Sequence, residues 1–163
     1  MARLYYLSWL TCAALALTPS MTLVTLACLA LLRSISDFPA IERREQLAVF
    51  AAVAAAALFL YPLALGWGDW DAYRLGWGAP GMWVALVLVS LVCWVQGLKL
   101  LPILVALALL AWTAGLLEST NLWDYLLDPW LAITAIFQCF KTAQRKLQRF
   151  WRTRSGAAFP SFS

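Results

Sequence analysis

The sequence contains no histidine, and this absence removes more chemistry than any other feature of the chain. Without an imidazole there is no Ser-His or Cys-His nucleophile system, no side chain that ordinarily titrates near neutrality, and none of the commonest metal ligand. Charge is scarce as well: 12% of the 163 residues are Asp, Glu, Lys or Arg while 64% are apolar, against roughly a quarter and a half in soluble domains. The four cysteines, Cys12, Cys28, Cys93 and Cys139, sit singly in apolar stretches without paired spacing, so they read as small packing residues. No metal and no cofactor is expected.

What fills the chain instead is uncharged runs of membrane length. Leu4–Leu32, Leu47–Leu65, Met82–Leu98 and Leu100–Leu117 carry no Asp, Glu, Lys or Arg. A hydrocarbon core of roughly 30 Å takes about 20 helical residues, so the last three runs fit with little tilt. The first is too long for one straight crossing and contains Thr18-Pro19-Ser20. That triplet reads either as a kink in one span or as the cap and first residue of a second helix. Arg3 followed by apolar residues to Ala14-Leu15-Ala16 resembles a signal peptide, but the hydrophobic run continues past that point, and retention is expected. Trp130–Phe140 is short; a helix starting at Pro129, capped by Asp128 and running past Lys141, completes a fifth crossing by snorkelling of the basic stems.

The expected fold is therefore all-α: a polytopic membrane helix bundle of about five transmembrane helices, or six with an N-terminal hairpin at Pro19. Residues 1–154 form a single domain and 155–163 a flexible tail. A basic amphipathic helix closes the domain, with Leu147, Phe150 and Trp151 at helical spacing among Lys141, Arg145, Lys146, Arg149 and Arg152, a pattern suited to an anionic lipid surface. Membrane lipids, not nucleic acid, are the partners these cations imply. In the five-span arrangement Arg33, Arg43, Arg44, Lys99, Lys141, Arg145, Lys146, Arg149, Arg152 and Arg154 lie on one side and Arg3 and Arg74 on the other. That imbalance places the C-terminus in the cytoplasm, and the expected location is a bacterial inner membrane.

The opposite face carries the informative residues. Residues 66–81 read GWGDWDAYRLGWGAPG, and the tetrapeptide LGWG occurs twice, at Leu65–Gly68 and Leu75–Gly78. Trp67 and Trp77 suit a membrane interface, and the glycines beside them permit sharp turns. Between them stand Asp69, Trp70, Asp71, Tyr73 and Arg74. The second connection on this side, Glu118 to Asp128, contains Trp123, Asp124 and Tyr125, and so again sets carboxylates beside aromatic rings. Asn121 three residues before Asp124 also matches a helix N-cap.

Two readings of these loops stay open: a solvated interfacial aromatic belt, or a binding surface for a partner or a lipid-linked sugar, where rings stack on sugars and carboxylates take hydroxyls. Asp69-Trp70-Asp71 resembles a metal-diphosphate pair of sugar-nucleotide transferases, but as a lone pattern on the non-cytoplasmic side it is not taken as a metal site. From Leu4 to Leu117 no Asp, Glu, Lys or Arg falls inside a predicted span, which argues against a self-sufficient ion-coupled transporter. The expected function is a non-catalytic subunit or accessory protein of a cell-envelope glycolipid or polysaccharide system, with a small transporter or flippase subunit as the alternative. It would work with a protein partner or as a homo-oligomer. The two loops should meet, because the short Gly97–Leu101 connection makes a hairpin of the spans that carry them, and Arg74 should then pair with a carboxylate.

Overall fold

The structure, a computed structural model, describes residues 19–35 and 41–156, with side chains through Arg152. Among these residues the fold is all-helical: α1 (Met21–Ile35), α2 (Arg43–Ala64), a 3-10 turn (Ala72–Trp77), α3 (Pro80–Val95), α4 (Leu100–Thr113), α5 (Leu122–Leu126) and α6 (Pro129–Gly156). The kink-or-hairpin question for residues 4–32 turns on residues 4–18, which lie outside the described residues, as do the Asp37 region and the tail beyond Gly156.

The helix ends follow from local chemistry. Pro19 and Ser20 are non-helical, and the Ser20 hydroxyl accepts the Leu23 amide at 3.2 Å. The helix Met21–Ile35 therefore has Ser20 as its cap, and Pro19 stands before it, not at its first position. At the far ends of α2, α3 and α4 the chain turns through Gly66, Gly97 and Gly115, all at positive φ. In each case the glycine amide bonds the carbonyl three residues back, and the next amide bonds the carbonyl five back, as in Trp67 N to Pro62 O at 3.0 Å. This double closure satisfies carbonyls that the helix end would orphan.

Among the described residues only α2, with 22 residues, is long and apolar enough to cross a membrane; α1, α3 and α4 are shorter apolar helices. Gly97 and Gly115 stop α3 and α4 inside the runs Met82–Leu98 and Leu100–Leu117, leaving 16 and 14 residues. At 1.5 Å per residue these cover about 21–24 Å, short of a hydrocarbon core of roughly 30 Å. The second difference is at the C-terminus. The basic amphipathic segment is not a separate helix but the continuation of α6, which runs unbroken for 28 residues. No glycine or proline falls between Trp130 and Ser155 to stop it.

Packing is built on small residues. One stripe of α2, Val49, Val53, Ala57 and Leu60, is buried, as are Leu104, Ala108 and Ala111 of α4 and Leu131, Ala132 and Ala135 of α6. The spacing of three and four keeps each set on one helical face, and the alanines let backbones approach closely. Helix α2 packs most extensively on α6, and α4 sits against α1, α2 and α3. The reverse of this surface is also apolar: Val84, Val87, Leu88, Leu91, Val92 and Trp94 of α3, with Ile133, Phe137 and Phe140 of α6, are exposed.

The bundle has two chemically different ends. At one, the Lys99 amide donates to Glu45 at 2.9 Å, beside Arg43 and Arg44. At the other, the start of α1 meets α5 and the start of α6: Ser20 N bonds Asp128 at 3.3 Å, and Thr22 Oγ1 bonds the Tyr125 carbonyl at 3.2 Å. Most of the tryptophans collect at this acidic end, where Trp83 of α3 and Trp112 of α4 meet edge to face at 5.7 Å.

Candidate functional site

The two connections at the acidic end are bolted into a single cap. Asp71 starts the 3-10 turn by accepting the Tyr73 amide at 2.9 Å, and Asn121 starts α5 by accepting the Trp123 amide at 2.9 Å. The turn and α5 then exchange three contacts. The Tyr73 hydroxyl donates to the Asp124 carboxylate at 2.8 and 2.9 Å. Asn121 Nδ2 donates to the Tyr73 carbonyl at 3.0 Å, and the Trp123 indole donates to the Ala72 carbonyl at 3.1 Å. Residues three apart share a face of a 3-10 helix, so Tyr73 and Gly76 face α5. Gly76 is there because nothing larger fits: a Cβ would lie 1.7 Å from Asn121 Oδ1 and 2.7 Å from Trp123 Cδ1.

A second layer fixes α5 to the end of α4. Tyr125 is fully buried, and its hydroxyl lies 3.0 Å from the Leu117 amide, 3.1 Å from the Leu117 carbonyl and 3.2 Å from the Ser119 carbonyl. Ser119 donates to Asp124 and accepts the Asn121 amide, and the Trp112 indole donates to the Thr120 carbonyl at 2.8 Å. No buried side-chain polar atom among the described residues lacks a partner.

The structure thus brings the two loops together, as the short α3–α4 connection requires, and it divides the predicted site residues into two classes. Trp123, Tyr125 and Asp128 are buried, with their polar atoms occupied by the chain itself. Asp124 and Tyr73 are half-buried and face each other. Asp69, Trp70, Asp71, Arg74 and Glu118 are exposed, Trp70 leaning on Phe59 with ring centroids 5.9 Å apart. Arg74 makes no ion pair among the described residues, against the expectation that it pairs with a carboxylate of the two loops; the Asp124 carboxylate is met by Tyr73 and Ser119. On α6, Arg145, Gln148, Arg149 and Arg152 line one shallow groove, Lys146 is exposed, and Lys141 lies over the Phe137 ring at 5.7 Å. Sequence reading did not single out Ser119 or Tyr61, and it took Gly76, in the second LGWG, as a turn glycine, whereas the structure shows that Gly76 is needed for the close approach of Asn121 and Trp123.

Burial, and then the hydrogen bond to Asp124, pushes the Tyr73 hydroxyl up to about 12. A raised value means the fold favours the neutral phenol. Its contribution is complete below about pH 10, where the unfolded tyrosine titrates, and is lost as pH rises towards 12. Thermal unfolding in micelles between pH 9 and about 11 should therefore weaken more steeply for the native chain than for Tyr73→Phe. Parallel slopes would show that this hydroxyl is not held by the cap.

Between the end of α2, the 3-10 turn, α5 and the start of α6 lies a recess of about 220 Å³, lined by Leu60, Tyr61, Ala64, Tyr73, Trp123, Asp124, Leu127 and Pro129. It is smaller than the roughly 300 Å³ at which small-molecule sites begin. No grouping of three or more His, Cys, Asp or Glu suited to a metal occurs among the described residues. No family model, no curated protein and no solved structure matches the chain.

Proposed function

We propose that the protein is a multi-pass bundle in a bacterial inner membrane, C-terminus in the cytoplasm, acting as a non-catalytic accessory subunit of a cell-envelope glycolipid or polysaccharide system. Its cap is the docking surface for a partner protein or lipid-linked sugar. The observation that carries this reading is the cap itself: two connections locked together by Tyr73, Asn121, Trp123 and Asp124, leaving Asp69, Trp70, Arg74 and Glu118 exposed on a rigid base. A merely solvated pair of loops needs no such cross-bonding; recognition benefits from it, because a preorganised surface loses less entropy on binding.

The membrane part of the proposal is supported by the exposed apolar faces of α3 and α6, which exceed what a soluble surface carries. Helices this short are accommodated by local thinning and by interfacial Trp, Lys and Arg. The excess of Lys and Arg at the end bearing Arg43, Arg44, Lys99 and the α6 extension supports the orientation. The continuous α6 carries Arg145, Arg149 and Arg152 beyond the bundle, where anionic head groups would hold them.

Cysteine labelling in a variant lacking the four native cysteines tests the arrangement. Ala72 and Asn121 are buried, so the probes belong at exposed Asp69 and Glu118 for the outer face, and at exposed Arg44 and Gln148 for the inner. Asp69 and Glu118 should react in intact cells and the other two only after permeabilisation; reaction of Arg44→Cys in intact cells would refute the orientation. With the same protein gently extracted, Arg74→Ala should reduce recovery of a co-purifying partner more than Arg43→Ala does. Recovery of lipid with no protein partner would instead favour the flippase alternative.

A further inference from the structure

The recess at the acidic end offers a half-buried carboxylate walled by aromatic rings. Asp124 lies in it, with Tyr61, Tyr73 and Trp123, and the remaining lining, Leu60, Ala64, Leu127 and Pro129, is apolar. None of the lining residues is Lys or Arg, and Asp124 is met by the hydroxyls of Tyr73 and Ser119, not by a cation of the chain. An ammonium group fits this chemistry. Ring faces attract it through their quadrupoles, and the carboxylate supplies a full charge where water is partly excluded. An anionic group is repelled by Asp124. Ala64 and Pro129 at the rim are exposed and belong to the ends of α2 and α6, so in a membrane-spanning bundle the recess opens at head-group level.

We propose that this recess binds the primary ammonium of an ethanolamine phospholipid, with the lipid phosphate outside in head-group water and the chains against α2 and α6. The proposal rests on the membrane reading above but not on the cap's partner. It is tested on the full chain in micelles by native mass spectrometry, using dihexanoyl-phosphatidylethanolamine, dihexanoyl-phosphatidylglycerol and free phosphoethanolamine as probes. Membrane-fraction recovery of the same preparation scores the membrane reading separately. The ethanolamine lipid should bind about ten-fold more tightly than the glycerol lipid, and free phosphoethanolamine more weakly than either. Ala64→Phe fills the recess from its exposed rim and Tyr61→Leu removes one wall; neither residue takes part in the cap's hydrogen bonds, so both should keep the native melting temperature while losing the preference. Equal binding of the two lipids, or an undiminished preference in both variants, overturns the assignment. Free phosphoethanolamine binding as well as the lipid overturns the lipid source.

Discussion

Replacing Gly76 with alanine is expected to spring the cap apart and to lower stability by about 3 kcal/mol, a sum of overpacking and of lost hydrogen bonds across the turn. The added Cβ would stand 1.7 Å from Asn121 Oδ1, 2.6 Å from its Cγ and 2.7 Å from Trp123 Cδ1. None of these neighbours can yield cheaply. Asn121 is held by the Trp123 amide and the Tyr73 carbonyl, and the Trp123 indole by the Ala72 carbonyl. Relief therefore requires the 3-10 turn to lift from α5, breaking the Tyr73–Asp124 bond as well. Gly81→Ala is the matched control: nothing lies within 4 Å of its Cβ position, and a change within about 0.5 kcal/mol is expected. Adding Asn121→Ala to Gly76→Ala removes two of the three close atoms but leaves Trp123, so it should restore part of the loss. If Gly76→Ala unfolds in micelles with the midpoint of Gly81→Ala, the close approach is not a determinant of the cap.

Much of this architecture is legible in the sequence, and the parts that are not have physical causes. The run Leu47–Leu65 becomes α2, Arg43–Ala64, because a charge-free apolar stretch ended by Gly66 leaves little else possible, and Pro62 falls only in its last turn. Asp128 before Pro129 and Asn121 before Trp123 announce helix starts by residue type alone, and both side chains accept the amide two residues on. The meeting of the two loops follows from the length of the α3–α4 connection. Composition does not separate an aromatic that faces water from one that holds a cap: Trp70 and Trp123 are each followed by an aspartate and then, within three residues, a tyrosine, yet one is half exposed and the other buried. That distinction is set by which carbonyl each indole can reach. The closeness of the two loops and the signs of their charges point to a carboxylate partner for Arg74, but the 3-10 register turns Tyr73 and Gly76 inward and leaves Arg74 outside. Hydropathy continues through Gly97 and Gly115 while backbone geometry does not, so α3 and α4 end before the apolar runs that contain them.

The start of α6 supplies the second large effect, and its logic separates a helix cap from a buried charge. Asp128 is buried, and its two oxygens serve different elements: Oδ1 accepts the Trp130 amide at 2.8 Å and the Leu131 amide at 3.3 Å, while Oδ2 accepts the Ser20 amide at 3.3 Å. Asp128→Ala strands three amides at the junction of α1, α5 and α6. It should cost about 3 kcal/mol, combining loss of a cap with unpaired buried donors. Asp128→Asn keeps an oxygen for Trp130 and Leu131, and Asn caps as well as Asp. It places an amide donor against the Ser20 N–H, so only the tie to α1 is lost, at about 1 kcal/mol. The two variants should differ in location as well as size. Hydrogen exchange at Trp130 and Leu131 should accelerate in Asp128→Ala and stay protected in Asp128→Asn, whereas exchange at Ser20 and Leu23 should accelerate in both. Asp128→Asn as damaging as Asp128→Ala at Trp130 and Leu131 would mean that the carboxylate acts there by its charge at the positive end of α6 and not by capping.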